Sequence, residues 1–288
     1  MTGAQAQGVG VPAGGPAPAA EPRISAADAN REFYRQVAER YDASEHCVVD
    51  PAARAMLRGL LSRGLELQPA TEPRVLDACG GSGNAAQALL DLGVTPTVVD
   101  ISPEMLERWR GVARSRGVEA PIVEAEITEF LSRDDRAWEM IVFSSALHHL
   151  QDYEGVVAAA CRRLAPGGVL VSAFDPVRLG VGGQLLRRVD YAANLLRHEP
   201  RAFLGRVAAK ARRSASSAGD IGALAERDAV TGVDEAAIER ELERSGVEVI
   251  EHRRDCFART AAVRAALRLA RRPTSFSLLA RRPLDGGS

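Results

Sequence analysis

Lysine, cysteine, net charge and long apolar runs are all scarce in this chain of 288 residues. Lys210 is the single lysine, and arginine makes up the rest of the 37 basic residues. With abundant Ala and Gly, that bias points to a GC-rich genome rather than to a fold. The cysteines Cys47, Cys79, Cys161 and Cys256 are scattered without a C-x-x-C pair. That spacing argues against a disulfide framework or a zinc site and suits a reducing cytoplasm, so no metal is expected. The formal net charge is −1, so no global field draws nucleic acid. No stretch of about 18 apolar residues occurs, so no transmembrane helix is expected. Internal repeats are absent as well.

Residues 1–22 are mostly Gly, Ala, Pro and Gln, with almost no large apolar groups. Such a segment buries too little surface to offset chain entropy, and it lacks the basic start and apolar core of a signal peptide. We read a disordered tail over 1–22 and a folded domain over 23–288. Hydrophobic residues form 46% of the chain, enough for a sizeable core.

The chain is organised around Arg74 to Asn84, RVLDACGGSGN. Val75 and Leu76 open a short uncharged apolar run, which reads as a strand buried on both faces. The glycines make a sharp turn and let a ligand approach the backbone. Asn84 to Leu90 is then rich in helix formers. Strand, glycine turn and helix form the ligand-binding end of a parallel α/β sheet. Gly81-x-Gly83-x-x-Ala86 fits the dinucleotide fingerprint on spacing. Asp77 argues against that ligand, because a carboxylate before the loop would repel a pyrophosphate. It would attract a cation such as S-adenosylmethionine, with its ammonium and sulfonium. Asp100 closes the next apolar run, where an acid accepts from ribose hydroxyls; that suits either cofactor.

VLDACGGSG followed by VVDISPEML resembles the class I S-adenosylmethionine-dependent methyltransferases. WEMIVFSSALHHLQD and RRLAPGGVL are similar to that family's fourth and fifth strand regions. The likeness spans roughly residues 33 to 175, with weaker support to 281. It departs at Cys79, where the family usually has Gly; quinone C-methyltransferases also carry a small residue there. The resemblance implies a Rossmann-like α/β fold: a seven-stranded, mostly parallel sheet with an antiparallel last strand and helices on both faces. It implies S-adenosylmethionine as cofactor, held by Tyr41, Asp77, Cys79, Gly81, Gly83, Asp100, Ile101, Glu126, Ile127 and Ser144. Asp77 would hold the amino-acid part or its adjoining network, Asp100 the ribose, and Glu126 the adenine amino group with Ile127 beside the ring.

Other elements read from local signals. Ser25 caps a helix over 25–46, with Phe33, Val37 and Tyr41 at helical spacing. FYRQVAERYD resembles the family's N-terminal segment that closes over the cofactor, so 24–66 is a helical cover and Tyr34 a candidate substrate contact. Ser102-Pro103 starts a further helix. Strands follow at 121–124 and 140–144, a helix at 152–164, a turn at Pro166-Gly167-Gly168, and the fifth strand at 169–174. His148 and His149 sit at the carboxyl end of the fourth strand, where open sheets place their sites. His149 is the candidate base and His148 a candidate substrate contact; the bland reading is packing and capping. Residues 177–227 break the repeat. Leu186, Val189, Leu196 and Phe203 lie on helical stripes among many arginines, which reads as an inserted lid or as a solvated basic face. A helix at 235–245, a strand at 247–251, a helix near 258–271 and a last strand at 275–280 complete the chain.

These features lead to methyl transfer onto a small-molecule acceptor, on oxygen, nitrogen or carbon, in secondary metabolism. The protein would be cytoplasmic, monomeric or homodimeric, with no nucleic-acid partner. Three alternatives stay open: a quinone or lipid methyltransferase at a membrane surface, an NAD(P)-dependent oxidoreductase, and a non-catalytic cofactor-binding protein.

Overall fold

The computed structural model describes residues 25–44, 50–198, 232–258 and 260–284. The tail over 1–22, the second half of the insert with Phe203 and Lys210, and the side chain of Tyr41 lie outside the described residues.

Seven strands form one sheet, and their order explains why the site sits where it does. They are β1 (Val75–Ala78), β2 (Thr97–Asp100), β3 (Ile122–Glu124), β4 (Trp138–Ser144), β5 (Leu164–Pro176), β6 (Glu248–Asp255) and β7 (Ser275–Arg281). Their order across the sheet is β3-β2-β1-β4-β5-β7-β6. β1 to β5 pair in parallel, while β7 runs antiparallel to both β5 and β6. Strand order reverses between β1 and β4, so the loops leaving these two strands diverge and open a crevice at their carboxyl ends.

Helices cover both faces: α1 (Ala26–Ser44), α2 (Pro51–Leu67), α3 (Asn84–Leu90), α4 (Pro103–Ser115), α5 (Ile127–Arg133), α6 (Tyr153–Arg163), α7 (Val181–His198), α8 (Glu235–Arg244) and α9 (Ala261–Leu269). Asp50 caps α2, accepting from the Ala52 and Ala53 amides, and Pro51 takes the first turn. α2 then buries Ala53, Leu57, Leu60, Leu61 and Gly64 along one stripe. A Cβ on Gly64 would lie 2.8 Å from Met140 Cε, so this glycine lets α2 settle close on β4. The opposite face packs Leu131, Val156, Val157, Ile238 and Leu242 from α5, α6 and α8 against Leu76, Ile141, Phe143 and Leu170. Each such side chain contributes about 1.5–3 kcal/mol.

One expectation changes. The fifth strand begins at Leu164, pairing with Trp138, rather than at Val169. Pro166-Gly167-Gly168 is an irregularity inside the strand: Gly167 has φ +75°, and a Cβ on Gly168 would lie 2.8 Å from the Ala165 carbonyl oxygen. The insert begins with α7. On it Leu186 is half-buried, while Leu185, Val189 and Leu196 are all more than half exposed. α7 is tied to the start of α9, since Asp190 Oδ1 accepts from the amide and hydroxyl of Thr260.

Candidate active site

The turn after β1 is built from backbone constraints. Cys79 takes φ +57°, Gly81 +55° and Gly83 +86°. Left-handed geometry costs a residue with a Cβ about 1–2 kcal/mol. Gly83 has a second reason to be glycine, because a Cβ there would lie 2.2 Å from the Trp109 ring. Gly80 has no room either, as its Cβ would lie 2.8 Å from the Asp77 carboxyl.

Asp77 is fully buried beneath this turn. Its Oδ2 accepts from the Ala86 amide at 2.9 Å, inside the first turn of α3. Its Oδ1 has no hydrogen-bond partner. Burial, with help from the neighbouring charge of Asp100, pushes the carboxyl up to about 7, against the pull of the Ala86 amide. Asp77 therefore does not wall the crevice. It is absent from the cavity lining and braces the loop through the Ala86 amide.

Asp100 ends β2 and does face the crevice. Its Oδ2 accepts from Gly81 N at 2.9 Å and its Oδ1 from Ser102 N at 2.8 Å, which locks β1's loop to β2. Burial raises its carboxyl to about 6, and these backbone amides oppose the rise.

The crevice is a cavity of about 310 Å³ roofed by α1. Nine of the expected residues wall it: Tyr34, Cys79, Gly81, Asp100, Ile101, Glu126, Ile127, Ser144 and His149. Glu126 has a local task too, capping α5 by accepting from Glu129 N at 3.0 Å. Ser144 accepts from Asn84 Nδ2 at 3.4 Å. Cys79's thiol is pushed well above its ordinary value by burial and by surrounding carboxylates. Gly83 and His148 lie off the wall, Gly83 against Trp109 and His148 against Asp175.

The two histidines separate sharply. His148 is buried; its amide donates to Asp175 Oδ1 at 3.2 Å, and its Nδ1 lies 2.9 Å from the same oxygen. Asp175 is itself fully buried and accepts from Ser172 Oγ at 3.0 Å. His148, a candidate substrate contact, thus lies off the cavity wall and against Asp175. His149 reaches the cavity, with Nε2 2.8 Å from the Tyr34 hydroxyl and its ring centroid 3.9 Å from that of His148. Asn30 Nδ2 donates to the His149 carbonyl at 3.0 Å, while Asn30 Oδ1, buried at the wall, has no hydrogen-bond partner.

Sequence reasoning missed Asn30 and Asp175. Asp175 carried one signal, an acid at the carboxyl end of the fifth strand, where such sheets place their sites. Asn30 carried a weaker one: it lies one turn before Tyr34 on the same helix face.

The donor set fits a cationic nucleoside rather than a phosphate. Among the described residues, the wall carries Asp100, Glu126 and Asp152 and neither Lys nor Arg. A dinucleotide would set its pyrophosphate in that field unpaired. These acids, and not Asp77, line the cavity.

Comparison with known proteins agrees. A family model described as "Methyltransferase domain" matches residues 75–168. The demethylmenaquinone methyltransferase of Thermus thermophilus is 30% identical over 158 residues, covering 54% of this chain and 70% of that protein. A ubiquinone/menaquinone biosynthesis C-methyltransferase of Zymomonas mobilis is 27% identical, covering 48% of this chain and 55% of its own length. A tRNA 5-carboxymethoxyuridine methyltransferase of Escherichia coli K12 is 29% identical over 35% of this chain and 40% of that protein. Solved structures share the fold. Magnesium protoporphyrin IX methyltransferase from Synechocystis PCC 6803, with bound S-adenosylhomocysteine, superposes with a TM-score of 0.55 at 13% identity, covering 90% of this chain and 100% of that one. The [4+2]-cyclase SpnF does so at 0.60 and 14%, covering 91% and 97%, so fold alone does not dictate the reaction. The matched sequence, the strand order and the acidic, phosphate-averse cavity together identify the chain as a member of the class I S-adenosylmethionine-dependent methyltransferases, enzymes that use S-adenosylmethionine.

Proposed function

We propose that this enzyme methylates a small molecule inside the cavity under α1. The observation that carries the reading is the wall itself: acidic groups at the β2 and β3 ends, and a polar-apolar mixture of Asn30, Tyr34, His149, Leu150 and Val156 on the β4 side. Bound S-adenosylmethionine supplies a methyl group already activated on a sulfonium. The residues then have three tasks: binding, orientation and exclusion of water. Asp100 is assigned the ribose hydroxyls, and Glu126 with Ile127 the adenine. Cys79, Gly81 and Ser144 let the ligand lie close to the backbone, and Asp77 holds the loop by its bond to Ala86. Ser25, Ala27, Asn30 and Tyr34 of the α1 region cover the cavity. A cytoplasmic setting is supported by free thiols at Cys79, Cys161 and Cys256.

The test is to follow a labelled methyl group from S-adenosylmethionine, transferred by the purified protein, in extracts of the source organism. Label should enter small, organic-extractable compounds. Label in RNA would overturn the small-molecule acceptor.

A second reading is a quinone taken from a membrane surface. It is favoured by the exposed Leu185, Val189 and Leu196 on α7, together with the quinone methyltransferases among the relatives. It requires the protein to sediment with anionic vesicles at low salt and to leave them at high salt. No described helix is long and apolar enough to cross a membrane.

A further inference from the structure

α1 brings two side chains onto one residue of the opposite wall. Asn30 and Tyr34 stand one helical turn apart and share a face. Asn30 Nδ2 donates to the His149 carbonyl at 3.0 Å, and the Tyr34 hydroxyl lies 2.8 Å from His149 Nε2. All three residues wall the cavity. His149 is braced from behind, by the ring of His148 at 3.9 Å, which Asp175 holds in turn. Asn30 is 8% exposed, and its Oδ1 is an acceptor with no protein donor. A buried amide oxygen left unpaired is costly, so a ligand donor there is favoured. Around these groups the wall is apolar, with Ile127, Ala146, Leu150 and Val156.

We propose that Tyr34 and His149 together form the proton acceptor for a phenolic hydroxyl on the methyl acceptor, and that Asn30 orients that acceptor through its free amide oxygen. This rests on the small-molecule reading above. The apolar wall suits an aromatic ring, and the Tyr34 hydroxyl beside an imidazole can pass a proton on. The proton leaves the acceptor oxygen for Tyr34 Oη as Tyr34's own proton moves to His149 Nε2. The freed oxygen lone pair forms the O–CH3 bond, and the S–CH3 bond breaks with its pair kept on sulfur. The positive charge lost at sulfur reappears on the imidazolium, so charge and atoms balance. His148 and Asp175 are positioning residues, because His148 stacks on His149, Asp175 holds His148, and neither walls the cavity.

The test uses 4-nitrophenol, whose colour reports its ionisation, with the full-length protein saturated with S-adenosylhomocysteine. Bound dye should ionise at least one pH unit below free dye, a tenfold or greater change in its ionisation constant. Tyr34→Phe, which removes a single oxygen, and His149→Gln should each abolish the shift. Asn30→Leu should weaken dye binding several-fold. A merely structural role would leave the dye's ionisation where it is in water. Failure of the dye to bind, an unshifted dye in the natural protein, or a shift kept in both variants overturns the proposal. Failure of S-adenosylhomocysteine to raise the melting temperature would instead overturn the cofactor assignment, so the two outcomes are distinct.

Discussion

The Trp109 ring occupies the space that a side chain on Gly83 would need, with a built Cβ 2.2 Å from the indole. Trp109 is fully buried on α4, and Gly83 opens α3 at φ +86°. The cofactor loop is therefore keyed to the helix that follows β2. Gly83→Ala should destabilise the protein by about 2–4 kcal/mol, through strain at positive φ and overpacking. Trp109→Leu in that background should recover part of the loss, because it opens the space. Urea unfolding of both single variants and the double would show a coupling of about 1 kcal/mol or more. Strict additivity would mean that the ring and the loop do not constrain each other.

Asp77 and Asp100 give the fold an unusual pH response. Their carboxyls are raised to about 7 and about 6. Each binds its proton more tightly folded than unfolded, so each adds stability that is full below about pH 4 and is lost as pH rises to about 7. Between these limits stability should fall with pH, by on the order of 1 kcal/mol per unit. Glu139, lowered by its Arg74 bonds against the opposing effect of burial, acts oppositely, in the window below its ordinary value. Asp77→Asn keeps an oxygen for the Ala86 amide and removes the charge. Its urea midpoint should flatten across pH 5–7. An unchanged slope would show that Asp77 does not carry the effect.

The sheet was legible in the sequence wherever local signals agreed. Val75 to Ala78, the glycines and Asn84 to Leu90 combine an apolar run, a turn and helix formers within one short stretch. Asp100 was legible because it closes its own strand. What was not legible depends on distant partners. Asp77 and Asp100 both lie near the carboxyl ends of their strands, yet only the structure separates the buried brace from the wall. Asp175 turns inward because Phe174 takes φ +66° where β5 slips register against β7, and its partner His148 is 27 residues away. The stripe on α7 showed that one face is apolar, but not what covers it; Val189 and Leu196 turn out exposed.

The cysteines offer a chemical check on the same field of carboxylates. Cys79 lines the cavity, yet burial and neighbouring acids hold its thiol well above the ordinary value. Burial pushes the Cys161 thiol to about 12. The thiolate is the reactive form, so neither should alkylate at pH 8. Iodoacetamide followed by peptide mass mapping should leave both unlabelled in the native protein and label both in urea. Rapid native labelling of Cys79 would mean the loop exposes a thiolate.

Asp175 should matter to stability even though it touches no ligand. It accepts from His148 N and Ser172 Oγ and lies 2.9 Å from His148 Nδ1, all within the core. Asp175→Ala leaves those donors without an acceptor, at about 1–3 kcal/mol for each buried group fully orphaned. Chemical denaturation should show a loss of several kcal/mol. A loss under about 0.5 kcal/mol would place water or backbone in its stead.

Asp100 is the residue on which cofactor affinity should turn. Its two oxygens already hold Gly81 N and Ser102 N, and it lines a cavity whose described wall carries neither Lys nor Arg. A ribose hydroxyl donating to an ionised carboxylate makes a stronger bond than to a neutral one. With its carboxyl raised to about 6, Asp100 is ionised at pH 8 and largely protonated at pH 5. Affinity for S-adenosylhomocysteine should therefore weaken several-fold as pH falls through about 6. Asp100→Asn should show lower affinity at pH 8 and little dependence on pH across that window. Asp100→Ala should weaken binding by about 1–3 kcal/mol, since it strips the ligand hydroxyl and the loop amides of their acceptor. Titration calorimetry at pH 5, 6.5 and 8 reads all three. A flat profile in the natural protein, or full affinity in the alanine variant, would move the ribose contact away from Asp100.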